Sequence, residues 1–189
     1  MTKFILGKKL GMTTIYDENK GALNVTLIEC VPNKISFIRT PEKDGYSAVL
    51  LEVDKTINKK AKKEFRVKNN AEIKTGDEVK VDIFEMDEKV KITGITKGKG
   101  FQGVMKRHGF HGSSSTHGHK HDLRAPGSVG ATYPEHVMKG KRMAGRMGGE
   151  KSSAKNLKIV YIDKDKNILG VKGAVPGVVG RIVEITSVD

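Results

Sequence analysis

The chain has 189 residues, enough for one domain with a core of its own, alone or carrying a large insertion. It holds 35 Lys and Arg against 22 Asp and Glu, a net charge of +13, and one cysteine, Cys30. A lone thiol excludes an internal disulfide and a cysteine-based structural zinc, no stretch is apolar enough to span a bilayer, and the apolar run at the start is too short for a signal peptide. A soluble, cytosolic protein is expected, with Cys30 as a small buried hydrophobe.

The first hundred residues read as short strands punctuated by turns. Residues 4–6 and 13–16 are brief β-type runs, and 17–21 (Asp-Glu-Asn-Lys-Gly) is turn chemistry. Residues 24–31 form a strong strand stopped by Pro32, and 34–39 alternates to put Ile35, Phe37 and Arg39 on one side. Residues 46–53 suit a strand covered on both faces. The lysine-rich 54–75 reads as a basic loop insertion, relieved at most by a short strand over 64–68. Val79, Val81 and Ile83 share a strand face, and Val90, Ile92 and Gly94 continue the pattern. Residues 157–162 and 168–171 flank a turn and form a hairpin, and 181–188 closes the chain with Ile182 opposed to Val183 and Ile185. Many short strands without a convincing long helix imply a mainly β protein, a small closed barrel or sandwich.

Between these strands lies residues 97–155, and here the charge is concentrated. Twelve of its 59 residues are Lys or Arg and only Asp122, Glu135 and Glu150 are acidic, a surplus of nine positive charges out of thirteen. All six histidines and twelve of the 22 glycines fall in it, with too few large apolar residues for a core. Such a segment is expected to order against polyphosphate. The domains expected are therefore a discontinuous barrel, 1–96 with 156–189, and an extended arm, 97–155, whose tip lies at 139–150.

Several motifs compete with that reading. Gly98-Lys99-Gly100-Phe101-Gln102-Gly103 matches G-x-G-x-x-G, which in a nucleotide-binding enzyme needs a strand before it, a helix after it and a parallel βαβ unit. The same glycines beside Lys97 and Lys99 also let backbone approach RNA phosphates closely. Phe101, Val104, Met105 and His108 have the spacing of a short helical turn, leaving Lys106 and Arg107 turned toward a partner. The pair His108/His111 and the trio His117/His119/His121 suggest a histidine-metal module, but no Cys supports them and the run is Gly-flanked. Imidazoles that stack on bases and bond ribose or phosphate fit better. No G-x-S-x-G elbow accompanies Ser113–Thr116, and Asp163, Asp165 and Asn167 lack the Gly and closing Glu of a calcium loop. Residues 137–149, VMKGKRMAGRMGG, carry Lys139, Lys141, Arg142 and Arg146 with no acid, as a loop threaded between RNA helices would.

Residues 84–107 resemble the signature of the ribosomal protein L-three family, bacterial type, at Phe84, Gly94, Thr96, Gly98-Lys99-Gly100, Gly103 and Arg107. Residues 7–13, 124–128, 139–148 and 172–177 are similar to further family blocks, so the resemblance covers essentially the whole chain. Lys91 departs from the usual Asp or Asn. The resemblance implies a six-stranded Greek-key barrel and an arm that enters large-subunit ribosomal RNA, ends near the peptidyl transferase centre and helps nucleate assembly. It implies no catalytic residue, no cofactor and no metal. The partners implied are ribosomal RNA and neighbouring ribosomal proteins, without a membrane and without a homo-oligomer. The RNA-binding residues expected are Lys8, Lys9, Lys97, Lys99, Lys106, Arg107, His108, His111, His117, His119, Lys120, His121, Arg124, Lys139, Lys141, Arg142, Arg146 and Lys151. Met143, Ala144, Gly145 and Arg146 are the residues expected nearest the peptidyl transferase centre. Some members carry a methylated glutamine where Arg146 stands, a modification this chain cannot receive there.

Overall fold

A computed structural model describes residues 3–18, 21–56, 58–67 and 73–188. The chain divides into two compact units, Met1–Thr96 with Lys151–Asp189, and Lys97–Glu150.

In the first unit six strands close a barrel: β1 (Phe4–Asp17), β2 (Gly21–Glu29), β7 (Lys89–Ile95), β10 (Lys151–Asp163), β11 (Ile168–Lys172) and β12 (Ile182–Ser187), in the order β1-β12-β7-β10-β11-β2. Every pairing is antiparallel. β7, β10 and β11 are consecutive neighbours and β12 returns beside β7, which is Greek-key connectivity. A second sheet, ordered β5-β4-β3-β6, is built from β3 (Asn33–Arg39), β4 (Ala48–Thr56), β5 (Lys59–Arg66) and the two-residue β6 (Glu78–Val79); α1 (Pro41–Asp44) is a single turn between β3 and β4.

Alternation along the strands sorts apolar side chains into two cores. Ile5 of β1 and Val183 and Ile185 of β12 join Ile28, Cys30, Ile92, Ile159, Leu169 and Val171 inside the barrel. Their strand neighbours Phe4, Leu6 and Ile182 face the second sheet, where Phe4 stacks on Phe65 at 4.9 Å beside Ile35, Val49 and Leu51. Period-two side-chain placement lets one strand supply both cores. Cys30 is fully buried and burial pushes its thiol well above the usual range, leaving it an inert hydrophobe.

Four local readings need correction. The expected loop over 54–75 is largely a hairpin: β4 runs to Thr56 and pairs with β5 from Thr56↔Lys59 to Ala48↔Arg66, while residues 68–72 of that stretch lie outside the described residues. Charge hid this edge strand, since lysines on an exposed edge discourage pairing with other chains. In β3 the register shifts between Ile35 and Phe37, so Ile35 is buried while Phe37 is 51% exposed and Ile38 packs inward instead. After Val79 the strand gives way to a 3-10 turn at Val81–Ile83, which buries Val81 and Phe84. The two β-runs near the start are one 14-residue strand that continues past a register shift between Lys9 and Gly11. Among the described residues no helix is long and apolar enough to cross a membrane.

Candidate nucleic-acid interface

The chain leaves the barrel after β7 and re-enters it at β10, where Lys151 pairs with Ile95. Expected to belong to the arm, residues 151–155 instead begin β10 and pair with β7 up to Ala154↔Ile92. The insertion Lys97–Glu150 has its own frame. β8 (Gly100–Gln102) pairs antiparallel with β9 (Gly145–Met147), and the Lys99 N–H donates to the Met147 carbonyl at 2.9 Å. α2 (Val104–His108) follows, and the Gly109 N–H closes it onto the Met105 carbonyl at 2.9 Å. The G-x-G-x-x-G match thus sits in an antiparallel pair before a five-residue helix, without the parallel βαβ geometry a dinucleotide requires. Phe101 does not belong to the helical face expected of it: it lies in β8 and is 76% exposed.

α2 turns Val104 inward and Lys106 outward, while Arg107 and His108 reach across to one backbone oxygen. Arg107 Nη1 donates to the Met143 carbonyl at 2.7 Å and His108 Nε2 lies 3.1 Å from the same atom. A carbonyl only accepts, so Nε2 is the protonated ring nitrogen in that contact. Gly145 leaves room for this clamp, because a Cβ there would stand 2.6 Å from Arg107 Nη1. Met143 to Arg146, expected at a free loop tip, is therefore braced against Gly100–Gln102 and α2, and residues 103–144 lie between the two paired strands. Composition offered no signal for the pairing; the Gly145, Gly148, Gly149 spacing alone hinted at close backbone approach.

What the frame does not provide is a core. Val104 is the one buried side chain of the insertion, and residues 111–124 and 126–144 are exposed without exception. His111, His117, His119, Lys120, His121, Arg124, Lys139, Lys141 and Arg142 all lie on those two runs. Lys97, Lys99, Lys106 and Arg146 are exposed as well, and Arg107 and His108 are half-buried. The unit carries ten Lys or Arg against three acids, and its large exposed side chains include Tyr133 at 86% and Met138 at 62%. Among the described residues no three His, Cys, Asp or Glu are grouped as metal ligands, the histidine run included.

Three expected contacts lie in the barrel unit. Lys8 is exposed. Lys9 is 8% exposed, and its ammonium donates to the Val175 carbonyl at 2.7 Å and the Gly177 carbonyl at 3.2 Å, so it fastens the β11–β12 connection. In sequence Lys8 and Lys9 look alike; only strand alternation separates them. Lys151 meets Glu184 at 3.1 Å, and the other oxygen of that carboxylate holds Lys63 at 3.1 Å, which leaves Lys151 a shared ion-pair member.

A small Greek-key barrel interrupted by a cationic, coreless insertion is a build that displays charged side chains outward. The family model for ribosomal protein L3 matches residues 38–170. Large ribosomal subunit protein uL3 of Leifsonia xyli subsp. xyli is 46% identical over 199 residues, spanning 95% of this chain and 91% of the relative. Those of Geobacillus sp. (strain WCH70) and Thioalkalivibrio sulfidiphilus (strain HL-EbGR7) are 44% identical over 195 residues and 43% over 197, with 94% and 93% of this chain and 92% of each relative covered. The chain belongs to the ribosomal protein L3 family.

Proposed function

We propose that this protein is a structural, non-enzymatic constituent of the large ribosomal subunit, a cytoplasmic particle, and that it binds large-subunit ribosomal RNA directly through Lys97–Glu150. Family membership supports the subunit. The observation that carries the RNA reading is the imbalance within the insertion: 54 residues with ten Lys or Arg and a single buried side chain. Side chains displayed outward over such a length gain their packing from a partner, and the charge selects a polyanion.

In this reading the exposed cations of residues 111–124 and 126–144 meet phosphates, Tyr133 and the imidazoles offer stacking faces, and the braced Met143–Arg146 segment approaches the peptidyl transferase centre. The contribution to peptide synthesis is to hold RNA in place, and early binding helps nucleate assembly. With about six phosphate contacts, affinity for a ribosomal RNA fragment falls roughly 10³-fold between 50 and 200 mM salt. A filter-binding series with the full-length chain measures this, and a flat salt response contradicts the proposal. Co-sedimentation of the tagged chain with large subunits tests its place in the particle.

A further inference from the structure

The insertion contains a cleft of about 420 Å3 whose lining has a specific chemistry. Its walls include His108, Phe110, His111, Ser113, Pro126 and Arg142. The volume lies within the roughly 300–1,000 Å3 of sites that enclose a small organic group. Two aromatic rings meet in the wall, with His108 and Phe110 centroids 6.2 Å apart and tilted by 46°. The clamp on the Met143 carbonyl fixes the His108 ring and, on the same stroke, the backbone next to Arg142. At the other side Gly112 has φ +74°, and a Cβ there would run into the Leu123 carbonyl, so the loop after α2 is pressed onto the returning chain. Only glycine fits that approach.

We propose that this cleft takes one unstacked nucleotide of the ribosomal RNA, its base against Phe110 and the imidazoles and its phosphate on Arg142. Apolar ring faces, hydrogen-bonding imidazole and hydroxyl edges and a forked cation are the three groups that recognise base, ribose and phosphate. A duplex keeps its base faces stacked, so only a splayed nucleotide can lay its base against the Phe110 ring. The inference rests on the RNA-binding reading above and adds to it a single-nucleotide site.

The test uses large subunits assembled with the full-length chain, probed by 2′-hydroxyl acylation and read by primer extension. Phe110→Leu keeps an apolar side chain of similar size without the π-face, and Arg142→Ala removes the cation. One and the same nucleotide is expected to gain at least about fivefold in reactivity in both variants, as loss of a stacking or phosphate contact predicts, while Phe110→Tyr keeps the wild-type pattern. No change, changes at unrelated nucleotides, or exclusion of Phe110→Leu from the particle overturns the site. In a second arm the chain free of RNA is titrated with guanosine and adenosine 5′-monophosphate by NMR. Saturable one-to-one binding lost in Phe110→Leu, without any change in the RNA, assigns the cleft to a free nucleotide and overturns the RNA source. Failure of the wild-type chain to enter large subunits overturns the parent reading, and this site with it.

Discussion

The barrel unit and the insertion solve opposite problems with the same chain. In the barrel, Ile5, Ile28, Val90, Ile92, Ile159, Leu169 and Ile185 are wholly buried, so water exclusion holds the strands together. In the insertion Val104 is the lone buried side chain, and backbone contacts from Arg107, His108 and the β8–β9 pair keep the chain in register. The difference teaches that shape can be stored in two currencies within one protein. One is apolar area; the other is hydrogen bonds to main-chain carbonyls at positions where glycine permits close approach.

Substitutions on either side sharpen the contrast. Leu169→Ala leaves a hole in the barrel and is expected to cost about 2–5 kcal/mol in denaturant unfolding. Arg142→Ala and Arg146→Ala are expected to leave the melting temperature of the free protein unchanged, and a drop comparable to that of Leu169→Ala would erase the distinction between the two units. Lys9→Met comes next. Two buried carbonyls lose their donor, an expected loss of about 1–3 kcal/mol by thermal unfolding, which also separates Lys9 from the exposed Lys8. Within the insertion, Arg107→Ala removes a charged donor from the Met143 carbonyl, and amide exchange at Gly145–Met147 is expected to quicken about tenfold with no change in global stability.

The smallest effect belongs to Glu52 on β4. Hydrogen bonds from Lys60 at 2.6 Å and Lys62 at 3.0 Å hold its carboxyl below the ordinary carboxylate value. A depressed folded-state pKa adds stability that is complete above the unfolded value and is lost as the pH falls through the folded one. Glu52→Gln should lower the neutral plateau of the melting temperature slightly and leave its low-pH end unmoved, so that the acid limb flattens; an equal shift at all pH values would show that the ion pair is not the cause.

Much of the barrel was legible because burial imposes alternation. Ile182 opposite Val183 and Ile185 is visible in the letters and recurs as two cores, and the turn at 163–167 joins β10 to β11 as its residues demand. The lysine-rich β5 was not legible, since an edge strand owes its pairing to the neighbour it borrows from, and nothing in KKAKKEFR says that β4 is there. The register shift at Ser36 exchanged the faces of Phe37 and Ile38, an event that a repeating pattern cannot anticipate. For the interface, composition located the cationic segment but could not separate its roles. Arg107, expected as a phosphate contact, also donates to the Met143 carbonyl, a partner 36 positions away that no local pattern records. The buried bonds of Lys9 were hidden for the same reason, its carbonyl partners lying 166 and 168 positions along the chain.

The pairing of Lys151 with Ile95 has a consequence for how such a protein can be built and altered. Since the departing and arriving strands are already side by side, everything between them is, for the barrel, an overgrown hairpin turn. Closing a loop of 54 residues in place of one of about four costs only about 2 kcal/mol, because the penalty grows with the logarithm of length. A version cut back to a tight Asn-Gly turn would keep its barrel while shedding every residue of the cationic insertion. Its length is thus free to change at little cost to the barrel that carries it.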